Sequence, residues 1–232
     1  MLIDAHCHID MLENPEAYLQ KQERDGNITI GMTNLPSHFE MGYPYFRNLK
    51  RSRLALGYHP LMVAENPNEL KLFKKYLPYT SYIGEIGLDF SREGIGSKMQ
   101  QVDMLRKILE NISGGRKIVS VHSRRAEKEL YGLLREYDIK NVIFHWYSGP
   151  LGLISEIESA GYYFSINEAM TCSQNGCAII EKMSRSRILT ETDAPYNEKN
   201  DIVATLRHMG MSEELVKENF YRLLGGIKCE KR

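Results

Sequence analysis

The chain has 232 residues, of which 42% are hydrophobic and 26% charged, a composition that can build one sizeable hydrophobic core. Lys and Arg together number 30, as do Asp and Glu, so the formal net charge is zero. This balance excludes the overall basic charge that attracts nucleic acids non-specifically. A local basic patch at residues 114–125 remains open, either as a binding surface or as a solvated face.

The sequence pattern also shows neither a targeting signal nor the paired cysteines of a typical zinc site. The first residues lack a basic start and an apolar signal segment, and no stretch approaches the ~20 apolar residues of a membrane span. Neither a disulfide-dense pattern nor two CxxC pairs is present, and Cys172 and Cys177 alone indicate zinc only weakly. We therefore expect a cytoplasmic protein that does not associate with membranes.

Eight short apolar segments predict β-strands. They are residues 2–8, 27–33, 53–59, 82–88, 117–123, 141–147, 161–167 and 187–193. Segments with apolar residues at helical spacing lie between them, most clearly at 98–112 and 125–137. A further helix is predicted at 212–226, because Ser212 can cap its start and glycine ends it.

This alternation of strands and helices predicts a parallel sheet. Eight strands with nearly continuous apolar character favour a closed α/β structure, the (β/α)8 TIM barrel, as a single domain over residues 1–232. The alternative is an open, doubly wound sheet. That fold normally has fewer strands and a phosphate-binding glycine turn, and no GxGxxG motif follows the first strand here.

Ionisable residues recur near the carboxyl ends of the predicted strands, where a (β/α)8 barrel carries its functional side chains. They are His6, His8, His59, Glu85, His122, His145 and Asp193. Any one of them could be a hydrogen-bonded core residue or half of an ion pair. Burying so many together would be costly without a compensating cation, so the set indicates a metal site.

The pair at the first strand has a defined geometry. His6 and His8 are two residues apart and point to the same face of a strand, whereas Cys7 points to the other face and is expected to be a small packing residue. Imidazole and carboxylate ligands suit several divalent metals, and carboxylates can bridge two cations. Because the candidate ligands outnumber the needs of one tetrahedral ion, we expect two divalent ions, with magnesium, manganese and zinc all open.

Six short motifs make a family resemblance specific. "DAHCHID", "GYHP", "GEIGLD", "VHSR", "FHWYSG" and "ETDAPY" occur in this order along the chain. In their order and approximate spacing the sequence resembles the TatD family of metal-dependent hydrolases, over essentially its whole length. The resemblance implies a TIM barrel of the amidohydrolase superfamily and a divalent-metal deoxyribonuclease acting on DNA, with single strands or 3′ ends as the expected substrates. It assigns metal binding to His6, His8, Glu85, His122, His145 and Asp193, with Glu85 as the bridge.

Within the family, segments such as "GGRKIVSVHSRR" and "FSINEAM" are similar to the short TatD-like proteins of Qat anti-phage defence systems. This similarity implies protein partners from such a system. The sequence also departs from the common family pattern, with "GLDF" for "GLDYY", "HWYSG" for "HCFSG" and a shortened "PYNEKND" loop after the last strand. Since these loops would contact substrate, the resemblance does not carry over substrate preference.

The catalytic hypothesis assigns two carboxylates to the reaction. Glu85 would be shared by the two ions, and Asp193 would bind one ion while it orients or deprotonates the attacking water. His59 and Arg124 are candidates for binding the substrate phosphate or for supporting the metal ligands from behind.

Three residues have alternative interpretations. Arg124 could instead pair with Glu191 or Asp89. Trp146 and Tyr147 could stack on a base, although strand alternation turns Trp146 away from His145 and favours a packing role.

Two other functions remain open. The same metal site could hydrolyse an ester, a lactone or an amide, because fold alone does not define the scissile bond. Alternatively, the chain could be a subunit that acts mainly by binding partners. The complete ligand set argues against a silent subunit, and the glutamate of "GEIGLD" favours the TatD-like chemistry.

Overall fold

The computed structural model describes residues 1–196 and 200–226. Within them lie eight parallel strands, one inside each predicted segment. They are β1 (Ile3–His8), β2 (Ile28–Met32), β3 (Arg53–Leu54), β4 (Tyr82–Gly87), β5 (Ile118–His122), β6 (Val142–His145), β7 (Tyr163–Ile166) and β8 (Ile188–Thr190). Hydrogen bonds join β1 to β3 in one ladder and β4 to β8 in a second, each in chain order.

Two seams close these ladders into a barrel. At the first, Leu56 pairs with Ile83, and the Leu56 amide donates to Tyr82 O at 3.0 Å. At the second, the Asp193 amide donates to His6 O at 2.9 Å and the His8 amide donates to Ala194 O at 2.8 Å. The first and last strands are therefore neighbours, which confirms the single-domain (β/α)8 TIM barrel.

Helices surround the barrel. They are α1 (Pro15–Asp25), α2 (Pro36–Phe46), α3 (Leu70–Tyr76), α4 (Lys98–Ile112), α5 (Glu127–Glu136), α6 (Leu151–Ser159), α7 (Glu168–Thr171), α8 (Gln174–Lys182), α9 (Ile202–Met209) and α10 (Glu213–Gly225). The predicted helices at 98–112, 125–137 and 212–226 correspond to α4, α5 and α10. Ser212 caps α10 as predicted, since its Oγ accepts a hydrogen bond from the Leu215 amide at 3.3 Å.

The core lies between the strands and the inner faces of the helices. α4 shows the pattern: Leu105, Ile108, Leu109 and Ile112 recur at helical spacing and are all buried. No helix in the described part of the chain is long and apolar enough to cross a bilayer.

The third strand is shorter than predicted. Residues 53–59 were expected to form it, but only Arg53–Leu54 pair regularly. The Gly57 amide donates at 3.0 Å to the side-chain oxygen of Thr33 rather than to a backbone carbonyl, which interrupts the ladder. The backbones are so close that a Cβ on Gly57 would lie 1.6 Å from Thr33 O. The glycine of "GYHP" is therefore required by packing.

Strands β6 and β8 also end before the predicted residues, and a residue in the left-handed backbone conformation follows each of them. Trp146 has φ 38° and follows β6 directly, whereas Asp193 has φ 52° and lies three residues beyond Thr190, the last residue of β8. The prediction that strand eight extends to Asp193 is therefore wrong. The carboxylate is held in the turn that follows β8 and is hydrogen-bonded to β1, in a backbone conformation that Asp tolerates better than most residues.

Candidate metal centre

Glu85 lies at the centre of a cluster of ionisable side chains at the carboxyl ends of the strands. Its Oε1 is 2.7 Å from His145 Nε2 and 2.8 Å from His122 Nδ1, and its Oε2 is 3.0 Å from His8 Nε2. These histidines end β6, β5 and β1. One buried carboxylate thus contacts imidazoles from three other strands.

His6 and His8 form the second part of the cluster. Their Nε2 atoms are 3.2 Å apart, and both lie close to Asp193 Oδ1, at 3.7 and 3.6 Å respectively. Cys7 between them is buried with its thiol 3.8 Å from Ala194 O. The prediction that Cys7 is a packing residue is confirmed.

Three groups of potential ligand atoms occur in this cluster, each with its atoms within 4.8 Å of one another. They are His6, His8 and Asp193; His6, Glu85 and His145; and His59, Glu85 and His122. All six residues predicted as ligands are therefore brought together. His6 and Glu85 each belong to two of the groups.

His59, predicted to bind substrate phosphate, lies within the same cluster. Its Nε2 is 3.5 Å from Glu85 Oε2, and its Nδ1 accepts a hydrogen bond from the Leu61 amide at 3.2 Å. Burial lowers the pKa of His59 to about 3, against the attraction of the Glu85 carboxylate. The ring is therefore neutral, and because Nδ1 accepts the hydrogen bond, Nε2 carries the proton and can donate a hydrogen bond to Glu85 or to a phosphate oxygen.

One unsatisfied atom of the cluster fits a cation. Asp193 Oδ1 is buried in this structure without a hydrogen-bond partner, whereas the other two such atoms of the cluster, His8 Nδ1 and His145 Nδ1, face the carboxylates of Asp10 and Glu191 at 4.0 and 3.7 Å. Leaving such atoms unpaired is costly, and Asp193 Oδ1 lies beside the two imidazole nitrogens of β1. Because imidazole nitrogen and carboxylate oxygen are the usual ligands of zinc and related divalent ions, the residues present fit a metal centre.

The two central carboxyl groups differ in their proton affinity. Burial alone would raise the pKa of Glu85, but His145, His59 and the other surrounding imidazoles hold it well below its usual range. For Asp193, burial outweighs the attraction of His145, and Glu191 adds repulsion, so the pKa rises to about 7. In the metal-free cluster Glu85 is therefore ionised at neutral pH, whereas burial keeps a proton on Asp193 up to about pH 7.

Side chains behind the cluster hold the imidazoles in place. Ser120 Oγ lies 2.8 Å from His6 Nδ1, and Asp89 Oδ2 lies 2.8 Å from His122 Nε2. Glu191 Oε1 is 3.7 Å from His145 Nδ1 and accepts hydrogen bonds from Asn167 and from the Trp146 amide. Sequence reasoning missed these supporting roles, although Asp89 and Glu191 stand within the motifs "GEIGLD" and "ETDAPY".

The structure corrects the alternatives for Arg124. Its side chain is 55% exposed, with Nη1 3.7 Å from Glu93 Oε2. Asp89 and Glu191, its proposed structural partners, are instead engaged by His122 and by Ser165 and Asn167. The pairing alternative is therefore wrong, and phosphate binding by Arg124 stays a prediction.

The aromatic residues after β6 serve the core. Tyr147 is buried, packs on Phe144 and Phe164, and donates to Pro150 O at 2.8 Å, so the idea that it stacks on a base is wrong. Trp146 is partly buried against the core, as its predicted packing role requires.

A different aromatic side chain, Tyr196, lies at the site. Its ring is 57% exposed and meets the His8 ring edge-on, with centroids 4.9 Å apart. Tyr196 is the last residue of the motif "ETDAPY", and this position was the indication in the sequence that it lies near the site. Most of the loop that follows, at 197–199, falls outside the described residues, as does Cys229 near the end of the chain.

Comparisons with known proteins agree with this geometry. The sequence profile of the TatD-related DNase family matches residues 3–220. A metal-dependent hydrolase of Methanocaldococcus jannaschii is 24% identical, over 95% of this chain and 94% of its own length. Human deoxyribonuclease TATDN3 is 25% identical, over 84% of this chain and 78% of its own length. The crystal structure of the TatD homologue YjjV from Escherichia coli shares the fold, with a TM-score of 0.82, 22% identity and 97% of each chain covered. The chain therefore belongs to the TatD family and is a metal-dependent hydrolase.

Proposed function

We propose that this protein is a deoxyribonuclease that hydrolyses phosphodiester bonds with two divalent ions. The observation that carries the proposal is the arrangement around Glu85, whose two oxygens face different sets of imidazoles. One carboxylate can then serve two ions. The name of the human relative, deoxyribonuclease TATDN3, supports DNA as the substrate.

The ligand groups suggest how two ions divide the site. His6, His8 and Asp193 would hold one ion. His122 and His145, which both contact Glu85 Oε1, would hold the other, with Glu85 shared. Bound ions supply positive charge that polarises the phosphate and acidifies water. Within this site Asp193 Oδ1 is placed to orient the attacking water and to accept its proton.

Substrate contacts would come from the rim of the site. Tyr196 offers an exposed ring beside His8, on which the base next to the scissile phosphate can stack. His59 and Arg124 are proposed phosphate ligands. Stacking on an aromatic ring requires an unpaired base, so single-stranded DNA and 3′ ends are the preferred substrates in this proposal.

Cleavage of end-labelled DNA tests the proposal. Single-stranded and double-stranded oligonucleotides are incubated with Mg²⁺, Mn²⁺ or Zn²⁺, and in parallel with chelator. We expect metal-dependent products from single strands, and shortening by single nucleotides if attack begins at the 3′ end. Full inactivity on DNA and RNA, together with hydrolysis of an ester, lactone or amide panel, would refute the nuclease and favour the alternative chemistry.

We also propose that the enzyme acts beside the other proteins of a Qat-type anti-phage system. The support is the sequence similarity of "GGRKIVSVHSRR" and "FSINEAM" to the short TatD-like proteins of such systems. Phage plating on cells that express the complete system tests it. Replacing Glu85 by Gln in this chain should abolish protection, and unchanged protection by that variant would contradict the role.

A further inference from the structure

A second group of metal-ligand side chains lies away from the barrel mouth. Glu168 is the first residue of the short helix α7, Cys172 follows its last residue, and His208 lies in the last turn of α9. One potential ligand atom from each lies within 4.8 Å of the others. The close spacing of Cys172 and Cys177, without a second cysteine pair, indicates zinc only weakly. His208, which the fold brings beside Cys172, lies 36 residues further along the chain.

The separations suit a small tetrahedral ion. Cys172 Sγ is 4.0 Å from His208 Nδ1. With zinc bonds of about 2.3 Å to sulfur and about 2.1 Å to nitrogen, two ligands at a tetrahedral angle are roughly 3.6 Å apart. A movement of a few tenths of an ångström would therefore complete the geometry, and an exposed cysteine side chain can make such a movement.

Hydrogen bonds already hold the other two ligands. Thr171 Oγ1 donates to Glu168 O at 2.7 Å and therefore accepts a hydrogen bond from His208 Nδ1 at 3.0 Å, which holds the imidazole beside α7. Zinc would replace this bond, with the ring proton carried on Nε2 instead of Nδ1. Glu168 Oε2 accepts a hydrogen bond from the Asp201 amide at 2.9 Å, which leaves Oε1 for a metal. The carboxylate and the imidazole are thus largely positioned before any ion arrives.

We propose that Glu168, Cys172 and His208 bind one zinc ion, separately from the metal centre at the barrel mouth. Thiolate, imidazole and carboxylate together favour zinc, whereas magnesium avoids sulfur. Binding takes place with loss of the thiol proton, and water completes the four-coordinate shell. The ion would fasten the segment that follows β7 to the helix α9 that follows β8. This inference is independent of the proposed DNA substrate.

Cys177 provides a matched control. It is exposed like Cys172 and only five residues away, but its thiol donates to Thr171 O at 3.2 Å and it is not a member of the ligand group. Replacing Cys177 by Ser therefore removes a neighbouring thiol without removing a ligand.

Cobalt(II) is the probe that separates the two metal sites. A Co²⁺ thiolate gives an intense near-ultraviolet charge-transfer absorption, whereas the barrel-mouth cluster offers only nitrogen and oxygen ligands among the described residues. The reduced, metal-free protein is titrated with Co²⁺ and then with Zn²⁺. We expect the band to appear on addition of Co²⁺ and to disappear when Zn²⁺ displaces it.

Substitution of the proposed ligands and of the other cysteines tests which side chains bind the zinc ion. Changing a side chain that merely orients a ligand costs about 10- to 100-fold in metal affinity, so loss of a ligand should cost at least about 100-fold. C172S should lose the band, H208A should weaken zinc binding at this site by that factor, and C177S and C229S should behave as wild type. DNA hydrolysis at saturating Mg²⁺ should be unchanged in C172S. Absence of the band in the wild-type protein, its persistence in C172S or its loss in C177S would overturn the proposal.

Discussion

Asp89 and His122 form a direct carboxylate–imidazole pair behind the metal centre, with Asp89 Oδ2 2.8 Å from His122 Nε2. The opposite ring nitrogen, Nδ1, faces Glu85. Asp89 is itself oriented by the Ser91 amide, which donates to its Oδ1 at 2.8 Å. The pair therefore fixes the tautomer and the orientation in which His122 presents Nδ1 to the site.

Replacing Asp89 by Asn should weaken metal binding. The amide keeps the shape but lacks the charge that makes His122 a strong ligand, so we expect metal affinity to fall by about 10- to 100-fold. Hydrolysis should be lost at low metal concentration and largely recovered at high concentration. Glu93→Gln, in the same loop but exposed, is the control and should titrate like wild type. An Asp89→Asn variant with unchanged metal dependence would argue against the positioning role.

Replacing either central carboxylate should abolish hydrolysis. For Asp193→Asn, loss of the proton acceptor should lower kcat by about 10²- to 10⁴-fold, and Glu85→Gln should also lose the shared metal ligand. Circular dichroism and thermal unfolding establish that the variants are folded. Retained hydrolysis in either folded variant contradicts the mechanism.

Removal of metal should destabilise the protein. A metal ion present at a hundred times its Kd stabilises the folded state by about 2.7 kcal/mol. Removing that metal with a chelator should therefore lower Tm measurably. Because Glu85 contacts three imidazoles, Glu85→Gln should lose most of this metal-dependent stabilisation. Calorimetry with and without metal measures both effects. Equal Tm values for the wild type in the two conditions would indicate that the cluster holds no ion.

Tyr196 should contribute to DNA binding through its ring. Tyr196→Ala should weaken binding of a single-stranded oligonucleotide by about 1–3 kcal/mol, the usual value of one stacked base, whereas Tyr196→Phe should bind normally. Fluorescence anisotropy with the inactive Glu85→Gln protein measures this without cleavage. Tyr221, exposed on α10, supplies the control substitution to Ala. An equal loss for Tyr221→Ala would show that the effect is not local to the site.

The pair of His38 and Asp10 should make stability depend on pH. The hydrogen bond from His38 Nδ1 to Asp10 Oδ2, at 2.7 Å, raises the pKa of His38 above its ordinary value of 6.5, against the effect of burial. Charged His38 therefore stabilises the fold fully below pH 6.5, and this contribution disappears as pH rises through the raised pKa.

His38→Gln should accordingly cost about 1 kcal/mol of unfolding free energy at pH 6 and clearly less at pH 9. Urea unfolding of both proteins at the two pH values measures the difference. A loss that is the same at both would mean that the charge on His38 does not matter.

Much of the fold could be predicted from the sequence because apolar residues recur in every predicted strand segment and helical patterns separate the strands. The ends of the strands could not, since they depend on contacts that sequence patterns do not record. Gly57 leaves the ladder because the Thr33 hydroxyl replaces a carbonyl partner. Trp146 adopts a left-handed backbone that its residue type rarely takes.

The predicted metal ligands were recognisable because ionisable residues are unusual after apolar strands. The residues that support these ligands were not recognisable. Ser120 has no feature in the sequence that separates it from other small strand residues, and its hydrogen-bond partner His6 is 114 positions away. Asp89 and Glu191 were noticed but given Arg124 as a partner, because pairing of opposite charges is the simplest assumption from sequence alone.

The seam between β8 and β1 has a consequence for assembly of the enzyme. Asp193 and His6 come from opposite ends of the barrel sequence, yet the Asp193 amide is hydrogen-bonded to His6 O. A chain still lacking its last strand would therefore have an incomplete set of ligands, however well its first seven strands had formed. Cations bound there would link the first and last strands, so that the hydrolase becomes active only once the barrel has closed.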